Sequence, residues 1–313
     1  MKIQVWGARG SYPRPLTPQQ VRSKISAVLQ RVQAKDIVSP EAREAFLAQL
    51  PASLFGSYSG NTACVAVQLD NGKDIIFDAG TGIVEYWNKN SHATSQNREH
   101  HIFFTHYHYD HIQGLPFFLP AYKPDHAVHL YSPQPSLENV LRDQMQHPFF
   151  PVTMDSTMSN MHFHQLVPDG QMILHDAMVQ WISLNHPGGA WGYLLAADNR
   201  RFLYCTDVAI TPEMYEKSHI NREFYENLDC IVLDSQYTLD ELLQKITWGH
   251  SSYLHTVDFA VHWGIKHLVL FHHEPQYDDW TLSENCQAAK DFARSIGGQL
   301  RISLATEGEI IEL

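Results

Sequence analysis

Thr105-His106-Tyr107-His108-Tyr109-Asp110-His111 is the stretch on which the reading of this chain turns. It follows a short apolar run, His101–Thr105, that reads as a β-strand. Four side chains able to bind a metal (His106, His108, Asp110, His111) therefore leave one strand end together. Two imidazoles two residues apart on an extended turn converge on one cation, and Asp110 with His111 suits a neighbouring one. Imidazole with carboxylate is a zinc ligand set, shared with iron and manganese. A surface strand alternating His and Tyr would explain residues 106–109, but not Asp110-His111 or the Gly114 that follows. Upstream, Ile75-Ile76-Phe77-Asp78-Ala79-Gly80-Thr81-Gly82 reads as a buried strand ending in an acid and a glycine turn. Asp78 there would accept a ring N–H from a ligating histidine and fix its tautomer. A turn cap is the plainer alternative.

Composition agrees with a metal protein. The chain has 313 residues, 44% hydrophobic and 12% aromatic, enough for a sizeable core. That excludes a disordered, collagen-like or disulfide-scaffold chain. It carries 20 histidines against 22 Lys+Arg, and its net charge is −12. An acidic chain is poorly suited to wrapping long nucleic acid through phosphate contacts. Cys64, Cys205, Cys230 and Cys286 lie far apart with no CxxC, which suits reduced thiols and a cytoplasmic location. No apolar run reaches the ~18–20 residues of a membrane span. The opening Met1–Trp6 alternates like a strand rather than forming a secretory h-region.

Along the chain, 2–6 reads as a first strand. Val21, Ile25, Val28, Leu29 and Val32 recur at helical spacing, and Ser39-Pro40-Glu41 opens a second helix. Residues 16–50 are thus expected to be a two-helix insertion, serving as a lid or a dimer surface. Residues 1–60 carry eight basic against three acidic side chains, so Arg22, Lys24 and Arg31 could draw an anionic substrate. Ala63–Leu69 and Asp74–Asp78 form a hairpin across Asp70-Asn71-Gly72. Residues 88–100 read as a loop, 128–131 as a strand, 136–146 as a helix, and 161–205 as a meander of strands. Cys230–Asp234 and His267–Phe271 are strands among helices at 239–246, 251–263 and 283–295. Phe117, Phe118, Phe149 and Phe150 could stack a base, but Pro148-Phe149-Phe150-Pro151 reads first as loop packing, and His162 with His164 reads as a surface pair. The order fits an α/β (α+β) four-layer αββα sandwich formed by one domain, 1–313.

The His-x-His-x-Asp-His motif with its upstream Asp-Ala-Gly resembles the metallo-β-lactamase-fold hydrolase superfamily. The resemblance continues through Asn185-His186-Pro187, Tyr204-Cys205-Thr206-Asp207 and Leu268-Val269-Leu270-Phe271-His272. It implies two divalent metals, zinc first, with manganese or iron as alternatives. His106, His108 and His186 would hold one and Asp110, His111 and His272 the other, with Asp207 bridging. Of the His272-His273 pair, strand register against the family pattern implies His272. The second His of the motif separates this chain from the di-iron branch, which has Glu there. Asp207 separates it from secreted β-lactamases, which have Cys. A glyoxalase-like helical region is too long for residues 283–313.

Trp248-Gly249-His250-Ser251-Ser252 resembles the Gly-His-Ser/Thr motif of the phosphodiesterase branch, where this His assists the leaving group. The plain reading of His250 is a helix cap. With Asp110, His250 is the expected catalytic residue, acting with a metal-bridging hydroxide. Gly60-Asn61-Thr62-Ala63-Cys64 and the Asp110–Phe118 stretch are similar to bacterial cyclic-nucleotide and phosphoribosyl cyclic-phosphate phosphodiesterases. Ser57–Asn61 would turn near the phosphate or serve structure only, and Asp234 would support the metal shell or cap a helix. The expected substrate is a small anionic cyclic phosphodiester, with no membrane partner and a homodimer as the assembly. The alternatives are ribonuclease Z-like RNA processing, lactone or thioester hydrolysis on the same metals, and a non-catalytic cyclic-nucleotide sensor. A ribonuclease Z grips tRNA with a long basic arm; between 88 and 100 this chain has only Lys89 and Arg98.

Overall fold

The structure is a computed structural model and describes residues 1–91 and 98–313. In chain order, β1 (Lys2–Gly7) leads to the helices α1 (Pro18–Leu29), α2 (Pro40–Ala48) and α3 (Ala52–Phe55). Then come β2 (Cys64–Gln68), β3 (Asp74–Phe77), α4 (Gly82–Asn90), β4 (Glu99–Phe103), α5 (Tyr109–Ile112) and β5 (Ala127–Ser132). Next are α6 (Leu137–Gln144), α7 (Met154–Thr157), β6 (Met161–Gln165), β7 (Gln171–Leu174), β8 (Ala177–Leu184), β9 (Ala190–Ala197) and β10 (Arg200–Cys205). The chain ends with α8 (His219–Tyr225), β11 (Cys230–Asp234), α9 (Leu239–Gln244), α10 (Tyr253–His262), β12 (His267–Phe271), α11 (Asp279–Ser295), β13 (Arg301–Leu304) and β14 (Ile310–Glu312).

Two seven-stranded sheets form, in the orders β14-β1-β2-β3-β4-β5-β6 and β13-β12-β11-β10-β9-β8-β7. In each, an antiparallel part gives way to a parallel one, β3 to β6 in the first and β10 to β13 in the second. Parallel strands gather their carboxyl ends on one rim, where such sheets place ligands. Three apolar layers hold the sandwich. The inner faces meet around Phe77, whose ring lies 5.4–6.2 Å from those of Phe103, Tyr193, Phe202 and Tyr204. Ile76, Ile102 and Leu130 pack outward against α4 and α6; Leu203, Ile231 and Leu268 pack outward against α10 and α11. This is the expected four-layer αββα arrangement.

The insertion has its two helices. Thr17 forms a capping box with Gln20, and Ser39 accepts from Ala42 N ahead of Pro40. Neither helix has a buried residue. Lys24 is not free to meet a substrate: its Nζ lies 2.8 Å from Asp279 Oδ2 and donates to the Gly56 and Ser53 carbonyls. The expected loop over 88–100 is also corrected. α4 runs to Asn90, with Ile83, Tyr86 and Trp87 on its buried face, and β4 begins at Glu99. Residues 92–97 of that expectation lie outside the described residues. At the far end, β13 and β14 join different sheets.

Several histidines are buried and held in the neutral form. His100 stacks on His126 at a ring distance of 5.2 Å, and His101 on His129 at 4.8 Å. Burial, aided by His126, lowers the His100 pKa to about 3, and burial aided by His175 does the same to His101. Burial and Arg301 lower His267 to about 4. In the unfolded chain these rings titrate near ~6.5, so below that pH the unfolded state binds more protons. Their contribution is complete above ~6.5 and is lost as pH falls toward the folded values, by up to about 1.4 kcal/mol per pH unit for each ring. The urea midpoint is therefore expected to drop from pH 7.5 to pH 5.5. A flat midpoint would mean the rings are not held neutral.

Candidate metal centre

The rim where the parallel strands end collects the predicted ligands. His106 Nε2 lies 2.9 Å from His108 Nδ1, which lies 3.2 Å from His186 Nε2. Asp207 Oδ1 stands 3.8 Å from both His106 Nε2 and His186 Nε2. On its other side Asp207 approaches a second group. Asp207 Oδ2 is 3.2 Å from His111 Nε2, and Oδ1 is 3.3 Å from His272 Nε2. Asp110 Oδ2 is 3.4 Å from His111 Nε2 and 3.1 Å from His272 Nε2. The structure thus brings together all seven predicted ligands, in the two predicted groups with Asp207 between them. His273 is not among them; its Nε2 donates to the Ala305 carbonyl, 2.8 Å away.

The donor set fits cations. Buried lone pairs and carboxylates converge, and His111 Nε2 has no hydrogen-bond partner although it is fully buried. Burial pushes the Asp207 carboxyl up, but the His272, His111 and His106 imidazoles outweigh it and hold it well below the usual carboxylate range. Burial alone would lower His111, yet Asp207, Asp110 and Asp78 raise it well above an ordinary histidine.

The second ring nitrogens of His106, His111, His186 and His272 are tied down, which fixes how these imidazoles face the centre. Asp78 Oδ2 accepts from His111 Nδ1 at 2.8 Å and from the Tyr204 hydroxyl at 3.0 Å, while Oδ1 accepts from Thr105 N. Asp78 is therefore the predicted orienter of a ligand rather than a mere turn cap. His186 Nδ1 donates to the Gly249 carbonyl at 2.9 Å, and His272 Nδ1 to Gln236 Oε1 at 3.2 Å. Thr105 Oγ1 lies 3.0 Å from His106 Nδ1. Thr105, Tyr204 and Gln236 went unrecognised in the sequence. Thr105 opens the motif itself and Tyr204 lies three residues before Asp207, so position beside a ligand was the available signal.

His250 stands against both groups, its ring 4.8 Å from His272 and 5.1 Å from His186. Its Nδ1 is 2.6 Å from Asp234 Oδ2. Asp234 also accepts from Val208 N, Gln236 N and Ser251 N, so it holds His250 and the neighbouring loops in place. Although Asp207, Asp234, His250 and His272 are close enough to form a cation group of their own, these bonds already occupy Asp234. The helix-cap reading of His250 is overturned: Ser252 caps α10 by accepting from His255 N. The Ser57–Asn61 turn does not face the centre either. It wraps the Glu307 carboxylate, which accepts from Ser59, Gly60 and Asn61.

Gly249 is required for this geometry. Its φ is +82°, and a Cβ there would lie 2.5 Å from His186 Nδ1 and 2.2 Å from Pro187 Cδ. Gly249→Ala is expected to displace His186 and cut bound metal and activity ~10–100-fold, the usual cost of disturbing a group that supports a ligand. Metal analysis of the purified variant checks this; an unchanged content would show that His186 tolerates the shift.

A family model described as "Beta-lactamase superfamily domain" matches residues 73–273. The chain belongs to the beta-lactamase superfamily. Among curated relatives of this superfamily member, ribonuclease Z from Pyrococcus abyssi (strain GE5 / Orsay) is 26% identical over 144 residues. That match covers 45% of this chain and 44% of the relative, so the chain spans less than half of it. The metallo-beta-lactamase fold protein YhfI from Bacillus subtilis superposes with a TM-score of 0.66 at 14% identity, covering 100% of this chain and 98% of that one. A diphosphatase from the PhnP family gives 0.61 at 18% identity, covering 100% and 97%. At these identities the two structures establish the metallo-β-lactamase fold of the chain. Among the described residues no helix is long and apolar enough to cross a membrane.

Proposed function

We propose that this chain is a binuclear metal-dependent hydrolase of phosphodiesters, acting on small and preferably cyclic ones. The observation that carries this reading is the His250–Asp234 pair, 2.6 Å apart, standing beside a complete set of ligands. A thioester's thiolate departs without such a pair, and a carbonyl substrate calls first for a group that polarises its carbonyl oxygen. A departing alkoxide of a phosphodiester does need a proton or a positive neighbour.

His106, His108 and His186 would hold one ion and Asp110, His111 and His272 the other, with Asp207 shared. Imidazole and carboxylate donors favour zinc, with manganese and iron as alternatives. Bound there, the ions supply Lewis acidity toward phosphoryl oxygens and lower the pKa of water. The chain's own residues do the rest. Asp78, Gly249 and Gln236 hold the ligand rings so that Nε2 of His111, His186 and His272 faces inward. Asp234 keeps a proton on His250 Nδ1 and leaves Nε2 to deliver one to the leaving oxygen. His108 is the exposed member of the set and marks the side from which substrate enters.

The test is turnover by zinc- and manganese-loaded protein of measured metal content. The panel holds an aryl phosphodiester, 3′,5′- and 2′,3′-cyclic nucleotides, a precursor tRNA, a lactone and a glutathione thioester. Preference for cyclic diesters supports the proposal; activity confined to the lactone or thioester overturns it. RNA processing is the second reading, favoured by the ribonuclease Z relative. The net charge of −12 weighs against it, and cleavage of the tRNA alone would establish it.

A further inference from the structure

Beside the metal centre the structure has a cavity of about 530 Å³ whose wall is largely aromatic: Tyr107, Tyr109, Phe117, Phe149 and Phe150. Its place follows from α5, a single helical turn. Asp110 and His111 project from one side of that turn into the metal centre and are buried. Tyr109, Ile112 and Gln113, spaced for the opposite side, line the cavity. The exposed His108 sits in sequence between Tyr107 and Tyr109, so cavity and cation cluster share the open side of the site.

The aromatic rings there are left uncovered. Tyr109 is 72% exposed, Phe149 71% and Phe117 58%. Phe150 packs edge-on to Phe117 with ring centres 5.8 Å apart, so loop packing accounts for Phe150 but not for Phe149. Phe118, by contrast, is fully buried in the outer core and faces no ligand. The polar groups lining the cavity are few. Gln144 lines the cavity; its amide nitrogen has no hydrogen-bond partner and is shielded by protein atoms, so the amide turns to meet a ligand. Asp143 beside it offers a carboxylate, which also accepts from Gln146.

We propose that this cavity seats the nucleobase of the substrate. The inference rests on the phosphodiesterase reading and narrows it to nucleoside phosphodiesters. The volume falls within the ~300–1,000 Å³ of small-molecule sites. Exposed aromatic faces stack any base, because every base has a π-face. Gln144 donates to a ring nitrogen or carbonyl, and the Asp143 carboxylate accepts from an amino group or ring N–H. Both kinds of group occur side by side on a base edge. An aliphatic chain would fill the same walls but leave the Gln144 donor unpaired, and a second phosphate would meet Asp143.

The experiment compares a ribonucleoside cyclic phosphate with the base-free 1-methoxyribose cyclic phosphate. Both are tested on wild type, Phe149→Ala, Phe117→Ala, Gln144→Leu and Phe149→Trp. Wild type is expected to favour the base-bearing substrate in kcat/KM. Each alanine variant should reduce that preference about 5–100-fold, the scale of losing one base–aromatic stack, mainly through KM. Phe149→Trp should restore it. Titration calorimetry with a nucleoside monophosphate against ribose phosphate gives a second readout that needs no turnover. Equal loss on both substrates, or an unchanged preference in all variants, overturns the proposal. Absence of turnover on every phosphodiester, with nucleoside monophosphate still bound through Phe149, would sink the parent reading and leave the base site standing.

Discussion

Asp207→Ala protein is expected to bind metal incompletely and to hydrolyse phosphodiesters on the order of 10³-fold more slowly than the parent, while keeping its fold. The scale is that of losing a principal group stabilising charge at the reacting centre. Asp207 is buried at the end of β10 and its two oxygens reach both ligand groups, 3.8 Å from His106 and His186 and 3.2–3.3 Å from His111 and His272. Removing it withdraws the one negative charge that the two groups share. The first group is then left with three imidazole donors and no carboxylate to balance the charge of a cation. His108→Ala and His186→Ala should disable the first group alone. Because a ligand that binds only the native state stabilises it, added zinc should raise the melting temperature of wild type more than that of Asp207→Ala. Metal analysis, thermal melting and turnover check the three parts separately. A fully loaded, active Asp207→Ala protein would remove Asp207 from the centre.

His250→Ala is expected to give the opposite combination: full metal content with turnover reduced ~10²–10⁴-fold. Its Nδ1 is taken by Asp234, so the ring is positioned to serve a substrate oxygen rather than an ion. The loss should depend on the leaving group. A 4-nitrophenolate departs with little help, so an aryl diester should be affected less than a diester releasing an alkoxide. Asp234→Asn should move activity in the same direction without emptying the site, since it leaves the imidazole present but poorly held. Metal loss in His250→Ala would transfer His250 from proton donor to ligand and make Asp207, Asp234, His250 and His272 a cation group of their own.

The ligands were legible because they stand at strand ends, where hydrophobic β-type runs stop and a polar residue must face the rim. The candidate ligands Asp207 after β10 and His272 after β12 share that signature with Asp78 after β3, which orients His111. The choice of His272 over His273 rested on register, and the structure ties His273 to Ala305 instead. The supporting shell was harder to read. Tyr204 reaches Asp78 across the two sheets, and Gln236 reaches His272 from the loop after β11, contacts that only packing creates. Asn61 stayed open between two readings because a polar turn near the motif looks alike whether it meets a phosphate or the Glu307 carboxylate; the structural reading holds. α4 was missed because the polar Asn88-Lys89-Asn90 drew attention from Ile83, Tyr86 and Trp87, whose spacing is helical.

Asp78, Asp207 and His272 also share a backbone trait, with φ of +60°, +57° and +60°. A left-handed conformation costs a residue bearing a Cβ roughly 1–2 kcal/mol, and it persists where the surroundings enforce it. At Asp207 and His272 this sets two kinds of selection against each other, whereas Asp78 is kept by either, because its carboxylate satisfies Thr105 N, His111 Nδ1 and the Tyr204 hydroxyl. A library screened for heat resistance alone should accumulate glycine at 207 and 272 and yield sturdier, inert proteins. Screened for turnover, the same library should keep aspartate and histidine there and forgo that gain. The rim of this sandwich is where its evolutionary headroom in stability lies, and where it cannot be used.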